Sequence, residues 1–188
     1  MNSTLATWHT DHVNFARLLD LLEAQLVLFH DGETPHYELM LDIMFYMTHY
    51  PDAIHHPKED LAFARIKERE SGAAATVDEL DRQHLELHRL GAQLVASLGD
   101  VVNGSVASRT SVEAPARAYV ETFRRHMDLE EEKILPLAAR LLRESDWSAI
   151  NTAVRHIEDP LFGRNAERRY AAIEEHLERQ GSPRTSAG

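Results

Sequence analysis

The sequence contains no cysteine among its 188 residues. This absence excludes disulfide bridges, thiolate metal sites and iron–sulfur clusters that are held by cysteine. A long run of basic residues is missing too, and the formal net charge is −11. Because binding to a phosphate backbone requires clustered lysine and arginine, we expect no nucleic-acid partner.

Long apolar runs are also absent. No stretch approaches the roughly 18 apolar residues that a membrane-spanning helix needs. The N-terminal segment MNSTLATWHTDH lacks the basic segment and apolar run of a signal peptide. We therefore expect no membrane partner and a cytoplasmic location. A hydrophobic content of 43% is ordinary for a globular protein, and the length suits one domain with an appendage.

The spacing of apolar residues predicts four long helices and no strand of useful length. Their approximate limits are 5–29, 36–70, 77–98 and 112–143. Segments with glycine, proline or small residues separate them, of which residues 99–111 are predicted to form the longest loop. Four such helices predict an all-α, up-down-up-down four-helix bundle over residues 1–145. Residues 146–188 are predicted to form a short C-terminal helical extension with a frayed tail.

Four prolines fall inside the predicted helices, of which Pro115 lies near the first turn of the fourth helix and is tolerable there. Pro51 should kink the second helix, because proline lacks an amide N–H and crowds the preceding turn. Pro57 allows two arrangements: the helix bends, or a new helix begins near residue 55 with Pro57 in its first turn. Both arrangements leave His55 and Glu59 roughly aligned. Pro136 should bend or end the fourth helix in the same way.

Histidine is unusually frequent, with twelve residues in a chain that lacks cysteine. His55 and Glu59 are four residues apart, so on a helix they point the same way from adjacent turns. His126 and Glu130 repeat this spacing in HMDLEEEKILP. One imidazole with one carboxylate forms half of a metal clamp, and the chain contains two such halves.

Three further histidines lie on the apolar sides of the other two helices: His84 and His88 in ELDRQHLELHRL, and His12 in the first helix. Burying so many polar groups is costly unless a metal or hydrogen-bond partners accompany them. Imidazole and carboxylate without sulfur suit iron, manganese or zinc. Two metal ions need about two bridging acids, and each H-x-x-x-E pair supplies one. We therefore predict a metal site between the helices.

This set of motifs, a lone His12 followed by HHPKED, H-x-x-x-H and HMDLEEEKILP, resembles the hemerythrin-like (HHE cation-binding) family over about residues 5–142. The resemblance implies a four-helix bundle around a non-haem di-iron centre, with two Fe ions and a bridging oxide or hydroxide. The ligands that it implies are His12, His55, Glu59, His84, His88, His126 and Glu130, with Glu59 and Glu130 as bridges. Oxygen-carrying hemerythrins have an aspartate five residues after their last histidine, whereas Glu130 is four residues after His126, which favours the bacterial branch.

The resemblance predicts a protein that binds or senses dioxygen or another diatomic such as nitric oxide. The alternatives are a di-iron enzyme acting on peroxide or nitric oxide, and an iron-storage or iron-centre repair protein. The roles of three histidines are left open by the sequence. His88 is either a ligand or a residue at the rim of the site, and His56 is the alternative ligand if Pro57 shifts the helical register. His49 either flanks a peripheral polar site or has a structural role.

Overall fold

In the computed structural model, which describes residues 3–105 and 109–181, most of the chain is helical. The α-helices of these residues are α1 Ser3–His30, α2 Tyr37–Tyr50, α3 His56–Arg69, α4 Ala74–Val102, α5 Arg109–Leu129, α6 Leu135–Leu141, α7 Glu144–Ala153 and α8 Ala171–Gly181. No strand occurs in the two described ranges, and the prediction of an all-α bundle is confirmed. The up-down-up-down order stays a prediction.

Two of the predicted long helices are each divided by a wide, π-helical turn. The turn Pro51–His55 separates α2 from α3, and the turn Glu130–Ile134 separates α5 from α6. In both places a proline stands in the first turn of the following helix, Pro57 in α3 and Pro136 in α6. Because proline cannot continue the regular hydrogen-bond pattern, the backbone accommodates it by widening one turn. Of the two arrangements expected at Pro57, the structure contains the new helix.

The predicted loop 99–111 is shorter than expected, because α4 continues to Val102 and α5 begins at Arg109. Gly104 adopts a φ of +85° just after α4, which only glycine reaches without strain. The amide of Ser105 then donates to the carbonyl oxygen of Asp100 at 2.9 Å, which closes the helix end. Residues 106–108 of this loop, and the predicted tail from residue 182 onward, lie outside the described residues.

The buried apolar side chains form two clusters with a polar layer between them. The larger cluster joins α1, α2, α4, α5 and α8, and the smaller joins α1, α3, α4, α6 and α7. Along α1, Trp8 belongs to the smaller cluster and Phe15 to the larger, with His12 between them. Leu80 and Leu87 flank His84 along α4 in the same way. Packing on both sides therefore fixes the polar layer within the bundle.

The C-terminal helices pack against both clusters. Trp147 of α7 contacts Trp8 edge to face, with ring centroids 5.6 Å apart. Tyr170, just before α8, contacts Tyr46 of α2 at 5.7 Å. These aromatic contacts bury α7 and α8 against the bundle. Among the residues described, no helix is both long and apolar enough to cross a membrane.

Candidate metal centre

Two groups of donor atoms meet in the polar layer. The first group comprises His12, His55 and Glu59, and the second comprises His56, Glu59, His84 and His126. Within each group the potential ligand atoms all lie within 4.8 Å of one another. Glu59 belongs to both groups, so one carboxylate connects them.

The spacing in the first group matches ligands of a single ion. Nε2 of His12 and Nε2 of His55 are 3.2 Å apart. Two nitrogen ligands that bind one ion at right angles stand about 3.0 Å apart, since each metal–nitrogen bond is about 2.1 Å. Oε1 of Glu59 lies 2.9 Å from Nε2 of His55 and 3.6 Å from Nε2 of His12. Three donors from three turns therefore converge.

The second group repeats this spacing on the other side of Glu59. Nε2 of His84 and Nε2 of His126 are 3.2 Å apart, and Oε2 of Glu59 lies 3.7 Å from Nε2 of His84. The His56 ring stacks on the His84 ring with centroids 4.3 Å apart. Nε2 of His56 is buried and has no hydrogen-bond partner. This nitrogen is therefore available as a third imidazole donor.

Glu130 joins the two groups at a second point. Its Oε2 lies 3.3 Å from Nε2 of His12 and 3.3 Å from Nε2 of His126. The side chains of Glu59 and Glu130 are both 0% exposed, and none of their four oxygens has a hydrogen bond. The short nitrogen–oxygen distances therefore lack hydrogen-bond geometry. Buried carboxylates without hydrogen bonds are costly unless a cation lies beside them.

Every imidazole of the centre is held from behind through Nδ1. The partners of Nδ1 are Glu131 for His12 (2.8 Å), Asp11 for His55 (3.0 Å), Asp52 for His56 (3.1 Å), Asp60 for His84 (2.8 Å) and Gln83 for His126 (3.2 Å). Because carboxylate and amide oxygens accept hydrogen bonds, Nδ1 is the nitrogen that keeps its proton in the neutral ring, and Nε2 then presents its lone pair. Lone pairs that face inward, with oxygens behind the rings, are typical of metal-bound histidines.

The two groups differ in their electrostatics. Although burial opposes protonation, the charge of Glu59 helps to raise the pKa of His55 to about 9. Burial and the neighbouring His84 instead lower the pKa of His56 to about 4. Burial and the charge of Glu59 raise the pKa of Glu130 to about 7. Positive charge is thus favoured at His55, and the neutral imidazole is favoured at His56. Although burial opposes protonation, the hydrogen bond to Asp60 raises the pKa of His84, so the second group contains imidazoles of both kinds.

The structure brings six of the seven predicted ligands together and places His88 elsewhere. The His88 side chain is 73% exposed, and its Nδ1 bonds with Oδ2 of Asp52 at 3.0 Å. His56, the alternative named for a shift at Pro57, occupies the centre instead. The physical reason is the π-helical turn Pro51–His55, after which both His55 and His56 face inward. His49 stacks on Phe45, with ring centroids 3.7 Å apart, and lies in neither donor group.

Sequence reasoning did not identify the residues that hold the imidazoles from behind. Most of them adjoin a residue of the centre in sequence: Asp11 precedes His12, Asp60 follows Glu59, Gln83 precedes His84 and Glu131 follows Glu130. Each of these four, however, bonds to a histidine of a different element. A polar residue beside each ligand was the available signal, but its partner depends on the packing of the helices.

A comparison with models of protein families matches residues 3–138 to the Hemerythrin HHE cation binding domain. The chain belongs to this hemerythrin family. No curated protein and no solved structure matches it. The family match contains every residue of the centre, from His12 to Glu130, whereas α7 and α8 of this hemerythrin-family chain lie beyond it. Membership and the buried histidine–glutamate groups together indicate a cation-binding site.

Proposed function

We propose that this hemerythrin-family chain holds two iron ions, and that the loaded centre binds or senses dioxygen or another diatomic. His12 and His55 would hold one ion, and His56, His84 and His126 the other. Glu59 and Glu130 would bridge the ions together with an oxide or hydroxide. This assignment keeps the predicted number of histidines and uses His56 in place of His88.

The observation that carries the proposal is the orientation of Glu59. Oε1 faces Nε2 of His55 at 2.9 Å, whereas Oε2 faces Nε2 of His84 at 3.7 Å. Neither oxygen has a hydrogen bond, although the side chain is completely buried. A carboxylate whose oxygens point to different imidazole groups fits a bridge between two ions better than a ligand of one.

The donor types and charges support iron. The centre contains nitrogen and oxygen donors only, and such donors suit iron better than a soft metal such as Cu(I). Glu59 and Glu130 supply two negative charges against two divalent ions, so a bridging oxide or hydroxide would cancel most of the remaining charge. Membership of a cation-binding family is consistent with this composition.

The unequal number of histidines supports a site for a small ligand. His56, His84 and His126 with both carboxylates and a bridging oxygen would give one ion six donors, whereas His12 and His55 with the same bridges would give its neighbour five. A centre must keep such an open position if it is to bind a further molecule. Two bound iron ions would supply the electrons that a diatomic ligand accepts. The open position would therefore lie on the side of His12 and His55.

Two buried aromatic rings lie against His55 on this side of the centre. Phe15 is 1% exposed, and its ring contacts the His55 ring edge to face at 5.1 Å. Trp8 is 2% exposed and contacts the same histidine at 6.3 Å. Apolar rings of this kind lower the polarity beside His55 and favour a small uncharged ligand over an ion. Phe15 and Trp8 thus favour a diatomic ligand.

A second candidate, an enzyme acting on peroxide or nitric oxide, is favoured by a cavity of about 790 Å³ beside the Trp8 ring. Its lining includes Trp8, Asp11 and His55 from the bundle, and Arg164 and Asn165 from the segment between α7 and α8. The cavity therefore reaches the carboxylate that holds His55. A polar substrate or product next to that carboxylate would be more useful to an enzyme than to a reversible binder.

Metal analysis of the purified protein and of Glu59→Ala tests the proposal. We expect two irons per wild-type chain and the loss of at least one from the variant. Glu132→Ala is the matched control, because the Glu132 side chain is 69% exposed. Two irons retained in Glu59→Ala would contradict the bridging assignment. On the loaded protein, an optical change with dioxygen that reverses under vacuum supports binding, whereas sustained consumption of peroxide or nitric oxide supports the enzyme.

A further inference from the structure

We propose that metal ions reach the centre through an acidic mouth, defined as Asp52, Asp60, Asp81 and His88, at the surface of α3, α4 and the preceding π-helical turn. This proposal rests on the proposed function, because it concerns how the same centre is loaded. The mouth opens a pocket of about 420 Å³ that is also lined by His56, Pro57, His84 and Leu85. The pocket thus extends from solvent to two histidines of the centre.

The pocket ends at the donors themselves. His56 and His84 stack against each other there, and both belong to the second donor group. His56 is 5% exposed, and its buried Nε2 has no hydrogen-bond partner. An ion that passes these two rings is already within the centre, so no further route through the apolar clusters is needed.

The charge of the mouth suits a cation. Three carboxylates line the pocket, and neither lysine nor arginine occurs among its lining residues. Burial and the charge of Asp60 raise the pKa of Asp81, as expected where carboxylates crowd together. A cleft lined by one sign of charge raises the local concentration of the opposite ion. The larger cavity behind His55 also has three carboxylates in its lining, but Lys58 and Arg164 lie among them and offset most of their charge.

His84, at the inner end of the pocket, is the most exposed of the five histidines of the centre. The His84 side chain is 10% exposed, whereas those of His55 and His126 are each 1% exposed. The carboxylate behind it belongs to Asp60, whose side chain is 54% exposed, whereas Asp11 behind His55 is 10% exposed. A hydrogen bond that faces water is easily exchanged. His84 can therefore turn aside and admit an ion at lower cost than its buried neighbours.

His88 has a role in this arrangement that differs from that of a permanent ligand. Its Nδ1 bonds to Oδ2 of Asp52 at 3.0 Å, and Oδ1 of Asp52 bonds to Nδ1 of His56 at 3.1 Å. The exposed imidazole therefore presents Nε2 to solvent at one end of a chain that leads to the centre. His88 would be the first nitrogen that an entering ion meets.

The rate of metal uptake by the metal-free full-length protein tests the proposal. Anaerobic Fe²⁺ is mixed with wild type, Asp81→Asn and His88→Gln, and binding is followed by stopped-flow absorbance together with the final metal content. We expect uptake to be about 3- to 10-fold slower in both variants, with a smaller difference at high salt. Their final metal content should equal that of wild type, because neither side chain lies in the donor groups.

Glu158→Gln is the control for entry from the other side, since Glu158 lines the larger cavity. Its uptake rate should match that of wild type. Unchanged rates in Asp81→Asn and His88→Gln, or slower uptake in Glu158→Gln alone, would overturn the acidic mouth as the route. A lower final content in Asp81→Asn would also overturn it, because Asp81 would then hold bound metal. Failure of wild type to bind any iron would instead refute the proposed function.

Discussion

Replacing Glu130 by glutamine should stabilise the metal-free hemerythrin-family chain while reducing its capacity to bind metal. Glu130 is completely buried, and its carboxylate oxygens have no hydrogen bonds. Burial and the charge of Glu59 raise its pKa from 4.5 to about 7. Glutamine keeps the shape of the side chain and removes the charge. The same charge that attracts cations therefore opposes folding when no cation is bound.

The size of this effect follows from the pKa. Holding a carboxyl group of ordinary pKa 4.5 at about 7 lowers the free energy of unfolding by about 3 kcal/mol at pH 7. The sign is destabilising, because the folded protein binds the proton more tightly than the unfolded chain does. The penalty is complete above pH 7, shrinks as the pH falls from 7 toward 4.5, and disappears below pH 4.5, where the carboxyl group is protonated in both states. Glutamine should remove it.

Urea unfolding of the metal-free protein at pH 7 and pH 5 measures this difference. We expect Glu130→Gln to unfold at higher urea than wild type at pH 7, with a smaller advantage at pH 5. Loading with iron should reverse the order, because a ligand that binds only the folded state stabilises it. Glu132→Gln, an exposed neighbour, should change neither measurement. A metal-free Glu130→Gln protein that is less stable than wild type at pH 7 would refute the electrostatic reasoning.

Two further predictions concern residues outside the donor groups. Asp11→Asn removes the carboxylate behind His55 and should weaken metal binding by about 10- to 100-fold, which competition with a chelator would measure. An unchanged affinity would show that the hydrogen bond at Nδ1 does not orient the ring. Gly91→Ala places a Cβ 2.5 Å from Cγ2 of Thr48 and 3.3 Å from Cε2 of Tyr119. This substitution should lower the free energy of unfolding, measured by urea denaturation, by about 1–3 kcal/mol and leave the metal content unchanged. A gain in stability would contradict the tight packing at this position.

Much of the polar layer could be predicted because helical geometry is local. A histidine and a glutamate four residues apart share a face whatever the rest of the fold does, and this holds for His55 with Glu59 and for His126 with Glu130. His12 and His84 lie on apolar stripes that had to face the core. The family and the all-α bundle are confirmed on these grounds. The cytoplasmic location, the bacterial branch and a domain boundary near residue 145 stay predictions.

The choice between His56 and His88 depended on a feature that helical spacing does not describe. A regular helix would turn His56 about 100° away from His55, and the pair His84 and His88 would then complete the set. The π-helical turn before α3 changes this register, and its sequence signals were Pro51 at its start and Pro57 just after it. The length of the loop at residues 99–111 was overestimated because, of its two glycines, Gly99 remains within α4 and Gly104 adopts a positive φ.

The two π-helical turns also determine which alterations of chain length the centre can accept. Each turn accommodates one residue more than a regular helix would, and each lies where two consecutive side chains serve the centre: His55 with His56, and Glu130 with Glu131. Deleting a single residue from either turn would remove the extra residue and restore a regular helix, so the later side chains would keep their orientation. The bundle would tolerate such a deletion, but the centre would lose one of the two consecutive side chains that the wide turn presents to it.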